Sequence, residues 1–312
     1  MAKLIKIKGD ASFRSFFRKK VNGQSSIIVY AEKEKFKNLL VYDAVNKILS
    51  KNNILAPRLY TQRYDKNFIE IDDFGNETVF KILKKKSKNK ISYFNKIIKL
   101  LIQMQSIKHR KVKNFRNQNY TIPKYDKKIL INEANLFCDW YVKNNLSKLK
   151  KKKFCKNFKK IIKELTLKLR LKDNTFVHRD FHVSNLMSVK TQIGLIDSQD
   201  ALIGNKAYDL ASLIDDVRLK TSNSFKDKIF KLYIKKQKKL DIKKFKNDFE
   251  ILSVLRNLKI IGIFTRLSLR DKKKNYLRLI PYTWQLIKMR IDQNQTFIDL
   301  KNLLSQNFKK IR

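Results

Sequence analysis

His178-Arg179-Asp180 is followed by Asn185, so that an asparagine stands five residues beyond an aspartate that a histidine and an arginine precede. An aspartate placed this way can accept the proton of an acceptor hydroxyl. An asparagine on the same loop can bind a divalent metal that bridges the phosphates of a nucleotide. Such a loop needs a second metal-binding carboxylate at the end of a short apolar strand. Gln192-Ile193-Gly194-Leu195-Ile196-Asp197 supplies it, seventeen residues after Asp180. The chemistry these positions point to is phosphoryl transfer, with Asp180 as base and Asn185 and Asp197 as ligands of Mg²⁺. Taken singly, an Asp is ordinarily a turn or cap residue and a His a hydrogen-bonded core residue. Spacing, strand and downstream carboxylate together carry the reading. His178 is expected to support the loop, while His182 either touches substrate or supports the loop too.

The elements that must position these groups fall into two kinds. From Ile5 to Ala31 the pattern is strand-like, and Asn22-Gly23 between Phe13–Val21 and Gln24–Ala31 predicts a two-residue β-hairpin. Phe36, Leu39, Leu40, Asp43, Ala44, Asn46, Lys47 and Ile48 carry a helical period with a polar face, and a second β-like run extends from Leu59 to Ile71. After Gly75 amphipathic, lysine-studded helices are expected over Glu77–Ile107, Lys127–Asn144 and Phe154–Leu171. Between them and the final helices lies Phe176–Leu213, where short apolar runs alternate with polar clusters and the chemistry is concentrated. The expected division is 1–75 and 76–312, with the catalytic loop at 177–187 and the metal segment at 194–201. Asp209, opening the apolar helix Tyr208-Asp209-Leu210-Ala211, reads as a structural anchor for the catalytic loop, and Gly204 suits a tight turn.

Composition bounds the rest. A chain of 312 residues with 43% hydrophobic content can bury a large core, which excludes a disordered tail and a disulfide-stapled miniprotein. The net charge of +46 must lie mostly on the surface and will attract polyanions non-specifically. The excess is mainly Lys, in a chain also rich in Asn and Ile, and all three have A/T-rich codons. Gene base composition therefore accounts for the charge without a dedicated nucleic-acid site, and no zinc-finger spacing, RNP-like strand or bZIP heptad is present. Cys138 and Cys155 are expected as free thiols. The N-terminus has no hydrophobic signal core, and no stretch approaches a membrane span. A soluble cytoplasmic protein is the expectation.

With these residues in place, Val177–Met187 and Gly194–Asp216 resemble the aminoglycoside phosphotransferase and choline kinase superfamily. The resemblance implies an α+β, bilobal protein-kinase-like fold with a small β-rich N-lobe and a larger, mainly helical C-lobe. Within that superfamily the chain is most similar to bacterial kinases that phosphorylate the anomeric hydroxyl of N-acetylmuramate and N-acetylglucosamine in cell-wall recycling. Gly9-Asp10-Ala11-Ser12-Phe13-Arg14, Asp197-Ser198-Gln199-Asp200-Ala201 and Arg256–Leu267 match their blocks, and the similarity runs on through Arg270-Asp271-Lys272 to Pro281. It implies ATP and Mg²⁺ as cofactors and a small sugar as partner. Ser198 stands where the family usually has Phe, and Asn257 where His is commoner.

Ile27-Ile28-Val29-Tyr30 lacks the lysine that many kinases set on the α- and β-phosphates, and the following helix has no obvious partner glutamate. Cationic or N–H donors must come from elsewhere. Ser12 with its neighbouring amides, Arg14 and Arg18 are the candidates at the opening hairpin. Asp72-Asp73-Phe74-Gly75 resembles the hinge whose backbone meets adenine. Arg256, Arg266 and Arg270 lie on a helix expected to bury one face through Leu258, Ile261 and Phe264, and an inward arginine there would suit a lactyl carboxylate on the acceptor. Three alternatives stay open: an aminoglycoside kinase, which calls for a carboxylate-lined site; a choline or protein-hydroxyl kinase; and a non-catalytic basic nucleic-acid-binding protein on a kinase-like scaffold.

Overall fold

Asn22 (φ 45°) and Gly23 (φ 77°) take the left-handed conformations that a two-residue hairpin turn demands, and the strands on either side pair as the sequence requires. The computed structural model describes residues 3–7, 14–31, 38–85 and 90–309. Ser12 and the rest of the Gly9–Phe13 block lie outside the described residues. The chain divides into two compact units, Met1–Pro123 with Thr175–Ile203 and Lys124–Asn174 with Gly204–Arg312.

The first unit is built on a five-stranded antiparallel sheet. Its strands β1 (Lys3–Ile7), β2 (Ser15–Val21), β3 (Gln24–Tyr30), β4 (Leu59–Arg63) and β5 (Phe68–Asp72) run in the order β1-β2-β3-β5-β4. The Leu59–Ile71 run is thus two strands, turned at Asn67, another left-handed residue (φ 59°). Helix α1 (Asn38–Lys51) lies between β3 and β4 in sequence, and its Leu39 and Tyr42 pack with Val29, Ala31, Ile69 and Ile71 in one apolar cluster. The Glu77–Ile107 stretch forms α2 (Val79–Lys84), capped by the Thr78 hydroxyl, and α3 (Lys90–Gln105), followed by the short hairpin β6 (Lys111–Lys113) and β7 (Asn119–Thr121).

The later portion of this unit enters through β8 (Asp173–Val177), makes a hairpin of β9 (Leu186–Val189) and β10 (Gln192–Leu195), and leaves through β11 (Leu202–Asn205). These units are cut differently from the expected segments 1–75 and 76–312. The reason lies in backbone hydrogen bonding. The Ser188 N–H donates to Glu77 O and the Leu195 N–H to Leu55 O, both at 2.8 Å, while Met187 bridges to Thr78. The segment bearing Asp180 and Asp197 therefore packs with the chain before residue 123.

The second unit is helical. Helix α4 (Lys127–Leu136) widens into a π-helical turn over Phe137–Val142 before α5 (Lys143–Asn145), and α6 (Lys148–Leu167) buries Phe154, Phe158, Ile162 and Leu165 while its lysines face outward. Then follow α7 (Tyr208–Ile214), α8 (Asn223–Lys235), α9 (Ile242–Leu269), α10 (Ile280–Ile291) and α11 (Ile298–Asn307). Helix α9 is buried on every side rather than along one face, because α4, the π turn, α7 and α10 all pack on it. A Cβ on Gly262 would stand 2.3 Å from Leu136 O, so only glycine permits that approach. No helix among the described residues is long and apolar enough to cross a membrane.

Candidate active site

Strand β8 ends at Val177 and is followed by His178, whose ring is fully buried and holds the Ile196 carbonyl at 3.2 Å through Nε2. Burial lowers the ring's pKa despite Asp180 and Asp197, both of which act on it electrostatically, and so favours the neutral imidazole. From there the loop folds back on itself. The His182 N–H donates to Asp180 O (3.0 Å), Asn185 N–H to His182 O (2.9 Å) and Asn185 Nδ2 to Asp180 O (3.0 Å). His182 is buried, with Nε2 3.4 Å from Asn185 Nδ2. The Ile196 N–H then donates to Asn185 O at 3.1 Å and joins the metal segment to the loop. Asp180, Asn185 and Asp197 are thus brought together by backbone bonding, each partly exposed.

The backbone is strained at two of these positions. Arg179 (φ 73°) and Asp197 (φ 64°) adopt the left-handed conformation, which costs a residue with a Cβ about 1–3 kcal/mol unless the surroundings impose it. Asp197 is held by its side chain as well. Arg14 Nη2 donates to Asp197 Oδ1 at 2.6 Å and Nη1 to Gln199 Oε1 at 2.9 Å. The Arg14 side chain is 4% exposed against 37% for Asp197, so the cation is fixed and the carboxylate keeps an open side. The guanidinium lies 5.5 Å from the Phe16 ring centroid and 5.7 Å from that of Tyr42. Burial, against the pull of Arg14, pushes the Tyr42 phenol up to about 12.

At the expected hinge the side chains are committed. Arg18 clamps Asp73 through Nε (2.5 Å) and Nη2 (2.9 Å) and also reaches Gly75 O and Asn76 Oδ1. Asp72 accepts from Arg58 and from the Tyr60 hydroxyl. Burial alone would raise both carboxyl groups, but these donors outweigh it and hold them below the usual range. The Phe74 ring covers Gly194, where an added Cβ would stand 2.8 Å from it.

Asp209, Arg256, Arg266 and Arg270 belong to the second unit. Asp209 is buried in the first turn of α7. Arg256 is buried in α9, and its Nη1 has no hydrogen-bond partner among the described residues. Arg266 Nε is also buried without one, and burial lowers that guanidinium's pKa. Arg270 is exposed and bonds Asp271 at 2.8 and 3.0 Å.

Sequence reasoning missed Gln199 and Asn46. Gln199 sits inside the matched D-x-Q-D-A block, two residues from Asp197, so its alternation with that aspartate could have marked it. Asn46 carries no such signal: it lies on α1, 152 residues from Ser198, whose hydroxyl donates to its Oδ1 at 2.6 Å.

The model of the phosphotransferase enzyme family matches residues 3–241. The N-acetylmuramate/N-acetylglucosamine kinase of Pseudomonas aeruginosa is 27% identical over 97% of this chain and 88% of its own length. The protein of the same name from Neisseria meningitidis serogroup B is 28% identical over 87% of this chain and 80% of its own. Among solved structures, a choline/ethanolamine kinase family protein from Mesorhizobium loti superposes with a TM-score of 0.65 over 96% of this chain and 92% of that one, at 10% identity, and shares the fold.

Proposed function

The chain belongs to the phosphotransferase enzyme family, and from that premise we propose that it transfers the γ-phosphoryl group of ATP to the anomeric hydroxyl of N-acetylmuramate or N-acetylglucosamine. The observation that carries the reading is the joining of Asp180, Asn185 and Asp197 through backbone hydrogen bonds in one segment, with a buried arginine on the last of them. The names of the whole-length relatives supply the acceptor class.

In this reading Asp180 orients the acceptor hydroxyl and takes its proton as the new O–P bond forms and the bond from the γ-phosphorus to the bridging oxygen breaks. ADP and a sugar 1-phosphate leave, and the proton passes to solvent. Asn185 Nδ2 is turned toward Asp180 O, which leaves Oδ1 as an oxygen ligand, and Asp197 adds a part-exposed carboxylate. This hard oxygen pair suits Mg²⁺, which takes one or two protein ligands and completes its shell with phosphate and water. Mg²⁺ bound there would offset the charge on the phosphates. Arg14 adds a fixed cation beside Asp197 and takes the place of the missing strand lysine; Ser12 and its neighbouring amides complete the phosphate donors. The backbone of Asp72-Asp73-Phe74 receives adenine, its side chains being already engaged. His178 and His182 support the loop.

³¹P NMR of the purified protein with ATP, Mg²⁺ and, separately, N-acetylmuramate, N-acetylglucosamine, kanamycin and choline tests this. A sugar 1-phosphate doublet is expected with the amino sugars, and Asp180→Asn should reduce its rate by about 10²–10⁴. Turnover of kanamycin or choline in place of the sugars would sink the acceptor assignment. An undiminished Asp180→Asn would sink the base.

A further inference from the structure

We propose that Asn46 of helix α1 is a positioning residue for Asp197, an inference that rests on the metal-binding role given to Asp197 above. Asp197 needs outside support because its backbone is left-handed at φ 64°. Its side chain is held by Arg14, and the residue that follows, Ser198, is fully buried with its hydroxyl donating to Asn46 Oδ1 at 2.6 Å. Asn46 is itself immobilised: its Nδ2 donates to Pro57 O at 3.0 Å. Tyr42, one turn earlier on α1, carries the ring that lies against the Arg14 guanidinium.

Two lines of contact run from helix α1 to Asp197. The carboxylate meets Arg14, whose guanidinium lies against the Tyr42 ring, and Asn46, one turn further along the same helix, accepts from Ser198, the next residue in the chain. Helix α1 therefore grips Asp197 twice, through its side chain by way of Tyr42 and through its backbone by way of Asn46. Asn46 touches neither acceptor nor nucleotide in this scheme. It acts by fixing the direction in which the open oxygen of Asp197 points.

Calorimetric titration with ADP, alone and with Mg²⁺, separates positioning from general packing. In the wild type Mg²⁺ should tighten ADP binding. Ser198→Ala and Asn46→Ala should each lower that metal-dependent gain about fivefold, the equilibrium worth of one net hydrogen bond, and leave binding of ADP alone unchanged. The double variant should be no worse than the poorer single one, because both lose the same bond. Ser198→Thr, which keeps the hydroxyl, should restore the gain. If Asn46→Ala fails to fold, Ser198→Ala with the threonine rescue still decides the matter. Equal weakening of ADP with and without metal, or losses that add in the double variant, would overturn the proposal. A wild type whose ADP binding is indifferent to Mg²⁺ would instead overturn the metal reading of Asp197 on which the proposal stands.

Discussion

Asp197 and Asp215 are two aspartates, each salt-bridged to an arginine, yet their surroundings have little else in common. Asp215, in the helical unit, is wholly buried and saturated: Arg290 donates Nε at 3.0 Å and Nη2 at 3.2 Å, the Ser253 hydroxyl donates at 2.5 Å, and Lys226 Nζ stands 3.3 Å away. Asp197 has a single arginine on Oδ1 and is 37% exposed, and no partner for Oδ2 is found among the described residues. Asp215 has a negative φ of −102°, whereas Asp197 is left-handed. A carboxylate whose every lone pair is taken holds structure together. One held in a costly conformation with an oxygen left over is kept ready for something that arrives later.

The sharpest way to break this contrast is to neutralise each carboxylate. Asp197→Asn should cut phosphotransfer by roughly a thousandfold, the several kcal/mol that metal charge stabilisation supplies, with a smaller fall in melting temperature than Asp215→Asn because Arg14 keeps Gln199; steady-state kinetics and a thermal melt read both. Asp215→Asn should do the reverse. Removing one partner of a buried ion cluster leaves Arg290 and Lys226 uncompensated at a cost of about 3–5 kcal/mol, seen as a fall in melting temperature on the order of 5–10 °C with turnover per folded molecule retained. Similar turnover losses in the two variants at equal folded fraction would erase the distinction.

A smaller effect sharpens it. Burial alone would raise the Asp215 pKa, but Arg290, Lys226 and Ser253 outweigh burial and hold it below the ordinary value of 3.8. A depressed folded value means that the unfolded chain takes the proton first as pH falls. The stability Asp215 contributes is then complete above pH about 4 and drains away below it. Urea unfolding between pH 3 and 7 should show an acid-side decline in the wild type that is shallower in Asp215→Asn; identical slopes would contradict the assignment.

What the sequence revealed follows from how far apart the interacting residues are. The Asn22-Gly23 hairpin and the β10 strand delivering Asp197 were legible because turn chemistry and apolar runs act over a few neighbours. The Asp180–Asn185 loop was legible because its spacing is local too. Arg14 was expected at the phosphates, but its bond to Asp197 spans 183 residues, and that from Ser198 to Asn46 spans 152. No periodicity encodes such pairs. Ser198 looked like a packing departure until its hydroxyl was seen on Asn46. The one-sided reading of Arg256–Leu267 erred for a related reason: the apolar residues of α9 gave a stripe, but the faces between them carry Ser253, Asn257 and Thr265, which are buried as well.

The three crossings between the units bear on how the protein is made. A ribosome that has released Pro123 has delivered the sheet but neither β9, β10 nor Asp197, and the chain returns to the first unit only over Thr175–Ile203. At about 5–20 residues per second the delay is several seconds, during which the partners of Leu55 and Glu77 do not yet exist. Nascent chains halted at residue 123 should therefore lack a finished nucleotide-binding half, and no cut at a single point in the sequence can liberate it.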